Sequence, residues 1–155
     1  MTINEKKELR LANLVSIRRK MSQRELTEEV KNVKELISHS GHKAGDLVTA
    51  TFAAEKNEKG EVIMDVEILC PVDNEISVMQ PYILKKELYI TNALMSEFSG
   101  PASGISSVYN EINKYIMDHN LQPVTAAYTV NKFGSAANGS KADIAVYVGI
   151  NPNVL

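Results

Sequence analysis

Lys6-Lys7-Glu8-Leu9 reappears 79 positions later as Lys85-Lys86-Glu87-Leu88, and the same offset carries Asn13 onto Asn92. A chain that repeats itself over half its length has few ways to fold, because both copies must satisfy one pattern of apolar positions. The offset also carries Leu26, Val30, Val33 and Ile37 onto Ile105, Tyr109, Ile112 and Ile116. Each set has helical spacing, which predicts two helices in register. Gly41 falls on Asn120, and both residue types tolerate the left-handed backbone that closes a helix.

Each copy reads in the order β-α-β-β. Its first strand covers Leu9 to Met21 in copy one and Leu84 to Phe98 in copy two, with apolar and β-branched positions. The first helix opens at Ser22, where Ser22-Gln23-Arg24-Glu25 has the spacing of a capping box. The second opens around Gly100-Pro101 and continues through Ile105, Val108, Ile112 and Ile116 to about His119. A hairpin follows each helix: Leu47 to Lys56 with Val62 to Leu69 about Asn57-Glu58-Lys59-Gly60, then Val124 to Phe133 with Asp143 to Ile150 about Gly134 to Lys141. The expected fold is α+β: two pseudo-symmetric β-α-β-β repeats forming one antiparallel sheet with two helices packed on one face. One domain spans residues 1–155, with repeat one at about 6–72, a join at 73–81 too short for a flexible linker, and repeat two at about 82–150.

A chain of 155 residues buries roughly 70% of its unfolded surface and needs no staple. A net charge of -2 supplies no general field for nucleic acid or an anionic membrane. Cys70 is the one cysteine, set among Ile68, Leu69 and Pro71, where it reads as a small core hydrophobe. The amino-terminal stretch from Met1 to Glu8 has no apolar signal core, and no segment is long and apolar enough to span a bilayer. The expectation is therefore a cytoplasmic protein.

Phe98-Ser99-Gly100-Pro101, then Val108-Tyr109-Asn110-Glu111-Ile112-Asn113-Lys114-Tyr115-Ile116, then Asn120-Leu121-Gln122-Pro123 together resemble the effector-binding domain of the gyrase-inhibitor-like superfamily. There the pattern is glycine-proline, an amphipathic helix, and asparagine, apolar, any residue, proline. The chain is also similar to a group of stand-alone proteins from low-GC Gram-positive bacteria, some encoded near toxins of the type VII secretion system. The resemblance implies drug-sensing halves of transcription activators, stand-alone binders of small organic molecules, gyrase inhibitors, or hydrolases. Fold and role are separate inferences. The hydrolytic branches depend on an aromatic residue and a glutamate in the cleft. This chain has no tryptophan, which counts against an enzyme.

In domains of that kind both helices lie on one side of the sheet and the opposite side receives the ligand in the cleft between the copies. Alternation puts Asp65 and Glu67 on one face of their strand, and Asp143, Ala145 and Tyr147 form the matching row. A buried carboxylate is costly unless paired, which suits recognition of a cationic or amine-bearing ligand. Glu67 is the first candidate, with Asp65 and Asp143 beside it; the same three would equally suit a solvent-facing row on a half-exposed sheet. Tyr82, Tyr89, Tyr128 and Tyr147 are candidate walls, since a phenol can stack on an apolar or cationic body and orient a polar end. The plain alternative for each is cross-strand packing with the hydroxyl at the rim.

His39-Ser40-Gly41-His42 falls at a helix end with no acidic or thiol cluster beside it in sequence, so no metal and no cofactor is expected. No glycine-x-serine-x-glycine elbow, phosphate-cradling loop or dinucleotide fingerprint is present. The leading expectation is a stand-alone domain that binds a small, partly apolar and cationic molecule. A protein-interaction module, in which a sheet edge or face takes a partner, is the second class, and a hydrolase the third. An exposed hairpin edge would also pair two copies as a homodimer.

Overall fold

The computed structural model describes residues 2–132 and 141–153. In chain order the elements are β1 (Asn4–Met21), α1 (Gln23–His39), β2 (Leu47–Lys56), β3 (Val62–Pro71), β4 (Ile83–Pro101), a 3-10 turn (Ala102–Gly104), α2 (Ile105–Asp118), β5 (Pro123–Asn131) and β6 (Lys141–Ile150). The order strand, helix, strand, strand thus occurs twice, in an α+β chain whose strand pairs are antiparallel. Part of the glycine- and serine-rich turn expected from Gly134 to Lys141 lies outside the described residues. Two compact units divide the chain: a first of Leu11–Leu88, and a second of Met1–Arg10 with Tyr89–Leu155. Among the described residues no helix is long and apolar enough to cross a membrane.

In the first unit β3 is the middle strand. It pairs with β1 from Leu14↔Pro71 to Met21↔Met64 and with β2 from Val48↔Leu69 to Lys56↔Val62. Directly opposite residues share a face, so Val15 lines up with Cys70 and Ile17 with Ile68, Met21 and Val66 lie on that same face, and α1 covers them with Val33 and Ile37. Leu26 and Val30 pack on the same cluster, so the whole predicted stripe faces the sheet. The capping box at the start of α1 is complete: Ser22 Oγ accepts from the Glu25 amide and the Glu25 carboxylate accepts from the Ser22 amide. Gly41, at φ 80°, closes the helix. The join after β3 is no free linker, since Ile76 is buried and Val78 packs on the same core.

In the second unit β6 is the middle strand, paired with β4 from Ala93↔Gly149 to Pro101↔Lys141 and with β5 from Pro123↔Ile150 to Asn131↔Ile144. Ile144, Val146 and Val148, with Leu94 and Phe98 of β4, meet Val108, Ile112 and Ile116 of α2. Asn120 stands at φ 53° just past the helix, the position that matches Gly41. The start of α2 differs from the sequence expectation. Pro101 still belongs to β4, and the 3-10 turn comes before the first α-helical residue, Ile105. Proline at φ -59° and ψ 142° serves an extended strand end as well as a first helical turn, so its fixed φ alone did not choose between them. The Phe98 ring reaches to 2.6 Å from where a Gly104 Cβ would stand, so any larger residue there would force the ring to shift. β1 and β4 also run beyond their predicted ends, β1 beginning at Asn4 and β4 continuing to Pro101.

Candidate functional site

On the sheet face of the first unit turned away from α1, the register gathers Leu14, Ser16 and Arg18 of β1, Asp65, Glu67 and Leu69 of β3, and Val48 and Ala50 of β2. Leu14, Val48 and Leu69 are as fully buried as the core under the helix. Glu67 stands among them with 4% of its surface exposed. A carboxylate at that depth requires donors. Ser16 Oγ donates to Glu67 Oε2 at 2.6 Å, and Lys85 Nζ, from the start of β4, lies 2.5 Å from the same oxygen. Both contacts fall on Oε2.

Asp65, two residues back on the same face, forms a fork with Arg18: Nε to Oδ1 and Nη2 to Oδ2, both 3.0 Å. The hydrogen bonds from Arg18 hold the Asp65 carboxyl below its ordinary range. The register of β2 slips at Phe52, where Thr51 faces Val66 and Ala53 faces Asp65. The Phe52 ring centre sits 3.8 Å from the Arg18 guanidinium carbon, a cation–π contact. One face therefore carries a buried carboxylate, a half-exposed carboxylate, an aromatic ring and two cations of the chain itself.

The second unit has its own cluster on the face turned from α2. Tyr128 stands directly opposite Tyr147, Met95 flanks Tyr147 on the other side, and Ser99 faces Asp143. Glu97 lies opposite Ala145, and Lys132 Nζ meets its Oε2 at 2.7 Å. The Lys132 hydrogen bond lowers the Glu97 carboxyl, and the same bond raises the lysine.

The predicted site residues thus divide by place. Asp65 and Glu67 share one face of the first unit; Asp143, Tyr147 and Tyr128 share one face of the second. Tyr82 is elsewhere: it packs on the core under α1, where its hydroxyl donates to Glu29 Oε1 at 2.8 Å, and burial pushes the phenol up to about 12. Tyr89 is 41% exposed, with Arg10 over its ring and Glu8 accepting from its hydroxyl. Ser16, Arg18, Phe52, Lys85, Glu97 and Lys132 escaped the sequence reading. Alternation along Leu14, Ser16 and Arg18 is a usable signal for one row, but their partners depend on strand register, and in the sequence Lys85 stands out only through Lys85-Lys86-Glu87-Leu88.

His42 Nδ1 lies 2.9 Å from Asp73 Oδ1, an acidic neighbour brought in by the fold from beyond β3. Among the described residues no group of three or more His, Cys, Asp or Glu side chains is placed to hold a metal ion. A cavity of about 540 Å³ in the second unit, past the end of α2, is lined by amides such as Asn92, Asn120, Gln122 and Asn151. Its amides largely bond one another or the backbone: Asn92 reaches the Ile150 carbonyl and Asn151 the Gln122 side chain.

No family model matches the chain, and no curated protein does. Solved structures share its fold. The EcmrR chain in a cryo-EM structure of the EcmrR–DNA complex in EcmrR-RPo superposes with a TM-score of 0.72 at 14% identity, covering 97% of this chain and 56% of that one. This chain therefore spans little more than half the length of EcmrR. An uncharacterized conserved protein from Listeria innocua matches with a TM-score of 0.65 at 12% identity, covering 94% of this chain and 93% of its own. A hydrolase from Listeria innocua matches at 0.60 and 11%, covering 94% and 92%. At these identities the likeness is one of fold.

Proposed function

We propose that this chain is a small-molecule-binding domain of the effector-binding, gyrase-inhibitor-like kind, and that it receives an amphipathic cation at Glu67. The observation that carries the reading is a carboxylate 4% exposed among Leu14, Val48 and Leu69, on the sheet face away from α1, with Ser16 Oγ and Lys85 Nζ both on its Oε2. Buried charge next to apolar side chains matches a molecule that is itself apolar with a positive centre. Asp65 and the Phe52 ring add a second negative group and a π face beside it. The shared fold with part of EcmrR supports the superfamily resemblance seen in the sequence. The same reading treats the two strand–helix–strand–strand runs as copies of one unit. Tyr128, Tyr147 and Asp143 form a separate cluster with similar ingredients, and their variants are to be tested separately.

The test is thermal stability against a panel of cationic and neutral amphiphiles, for the wild type and Glu67→Gln. A ligand at about 100 times its dissociation constant adds about 2.7 kcal/mol, roughly a 5 to 10 °C rise at this size. A rise with cations that vanishes in Glu67→Gln supports the reading. No shift with any cation overturns it and turns the search to a protein partner.

A further inference from the structure

Lys85 holds the position that a cationic ligand would need. Its ammonium is 2.5 Å from Glu67 Oε2, yet its side chain is 41% exposed while that of Glu67 is 5% exposed. The stem therefore comes in from the solvent side, with only the charged end meeting the buried carboxylate. Arg18, the other cation on this face, is held differently: it makes two hydrogen bonds to Asp65 and stacks on Phe52. A planar fork with two matched bonds is a fixed element, whereas an ammonium on a flexible four-carbon chain is a point charge with one anchor.

We propose that Lys85 is the domain's internal counter-ion, a stand-in that a ligand's cationic centre displaces from Glu67, and that this exchange selects which cations bind. The inference rests on Glu67 being the receiving group, as proposed above. With the ligand absent, the lysine's ammonium pairs with a carboxylate set among Leu14, Val48 and Leu69. An incoming cation forfeits that pair and must replace it. Tethered nearby, the lysine competes at an effective concentration that a dilute small ion does not match. An ammonium with no apolar body therefore gains nothing by entering. A lipophilic cation does, because it adds apolar contact with this face, including Phe52, which is 37% exposed, to the charge pairing. Lys85 then swings to water at little cost, since much of its stem is already there. The apparent affinity is reduced by the fraction of molecules in which the lysine occupies the carboxylate, so removing the lysine raises it.

The experiment measures equilibrium binding of crystal violet, a rigid lipophilic cation, and of its neutral leuco form. The proteins are the wild type, Lys85→Met, Lys85→Gln, Glu67→Gln and the double variant Lys85→Met/Glu67→Gln, each first checked for a cooperative melt. Crystal violet is expected to bind Lys85→Met and Lys85→Gln about 3- to 10-fold more tightly than the wild type, the range set by a half-exposed ion pair. The leuco form is expected to respond little, and the double variant to bind like Glu67→Gln alone. Two lysine variants are used so that failure of one to fold leaves the other to decide. Binding to the wild type that is unchanged or weakened by loss of Lys85 overturns the displacement role while leaving Glu67 as the receiving group. Absence of crystal violet binding in every protein overturns the site reading and this inference with it.

Discussion

The Ser16 hydroxyl donates to Glu67 Oε2 across 2.6 Å, from β1 to the β3 residue diagonal to it, two positions from its direct partner Leu69. Ser16 is 1% exposed, so no water replaces the bond if the hydroxyl is removed. A hydrogen bond to a buried charge is worth about 1.5–3 kcal/mol. Ser16→Ala is expected to lower stability by about 2 kcal/mol, roughly 4–8 °C in melting temperature. Lys85→Ala, which removes a partner much of whose stem is in solvent, is expected to cost no more than about 1 kcal/mol. Urea and thermal unfolding of the two variants check the order; a larger loss for Lys85→Ala would mean that the charge pair, and not the buried hydroxyl, keeps Glu67 in place.

Tyr82 gives the fold a pH dependence at its alkaline end. Burial, with the hydrogen bond to Glu29 second, pushes its phenol up to about 12, against about 10 in an unfolded chain. The folded state therefore prefers the protonated phenol, and the stability this contributes is complete below about pH 10 and is lost as pH climbs toward about 12, because there the unfolded chain has already released its proton. Wild-type stability is expected to fall more steeply than that of Tyr82→Phe across this window. Urea midpoints for both proteins at matched pH values check it, and parallel curves would remove Tyr82 from the account.

Local features of this fold were readable from sequence because each is set by neighbours along the chain. Ser22 and Glu25 cap α1 through spacing alone, and Gly41 and Asn120 take the left-handed backbone where two helical stripes end. Alternation likewise put Asp65 beside Glu67. The partners were not readable, because they come from other segments: Ser16 and Lys85 converge on Glu67 from positions 51 residues before it and 18 after. Repetition also misleads at single residues. Asn13 and Asn92 align, yet Asn13 adopts φ 54° while Asn92 uses its amide to hold the Ile150 carbonyl. Arg18 and Glu97 align at the same offset with opposite charge, and each takes a partner of the other sign, Asp65 and Lys132. The 79-residue offset thus pairs apolar positions that lie in both helix-facing cores, while the charges at aligned positions differ from unit to unit.

Ser96 is fully buried opposite Val146 on the α2 side of the sheet, and its hydroxyl has no hydrogen-bond partner among the described residues. A buried unsatisfied hydroxyl is a standing cost, so replacing it with a methyl hydrogen-bonds nothing and loses nothing. Ser96→Ala is expected to raise stability by about 1 kcal/mol, a few degrees in melting temperature. A loss of stability in thermal and urea unfolding would instead show that the hydroxyl is satisfied in solution, for example by an enclosed water.

Cys70 reports on opening of the first unit. It has no exposed surface, and burial pushes its thiol up to about 11 despite the opposing charge of Lys34. Near pH 8 the thiolate that reacts with disulfide reagents is therefore a minute fraction, and the sulfur is also out of reach. Labelling of the native protein is expected to be slow, to accelerate with urea in step with unfolding, and to be complete at once in the denatured chain. Because Cys70 packs with Val15, Ile17 and Ile37, Ile37→Ala should speed labelling at fixed urea by loosening the α1 contact. Fast labelling of the native wild type would mean that α1 parts from its sheet without global unfolding, and would place the weakest element of the unit on the side opposite Glu67.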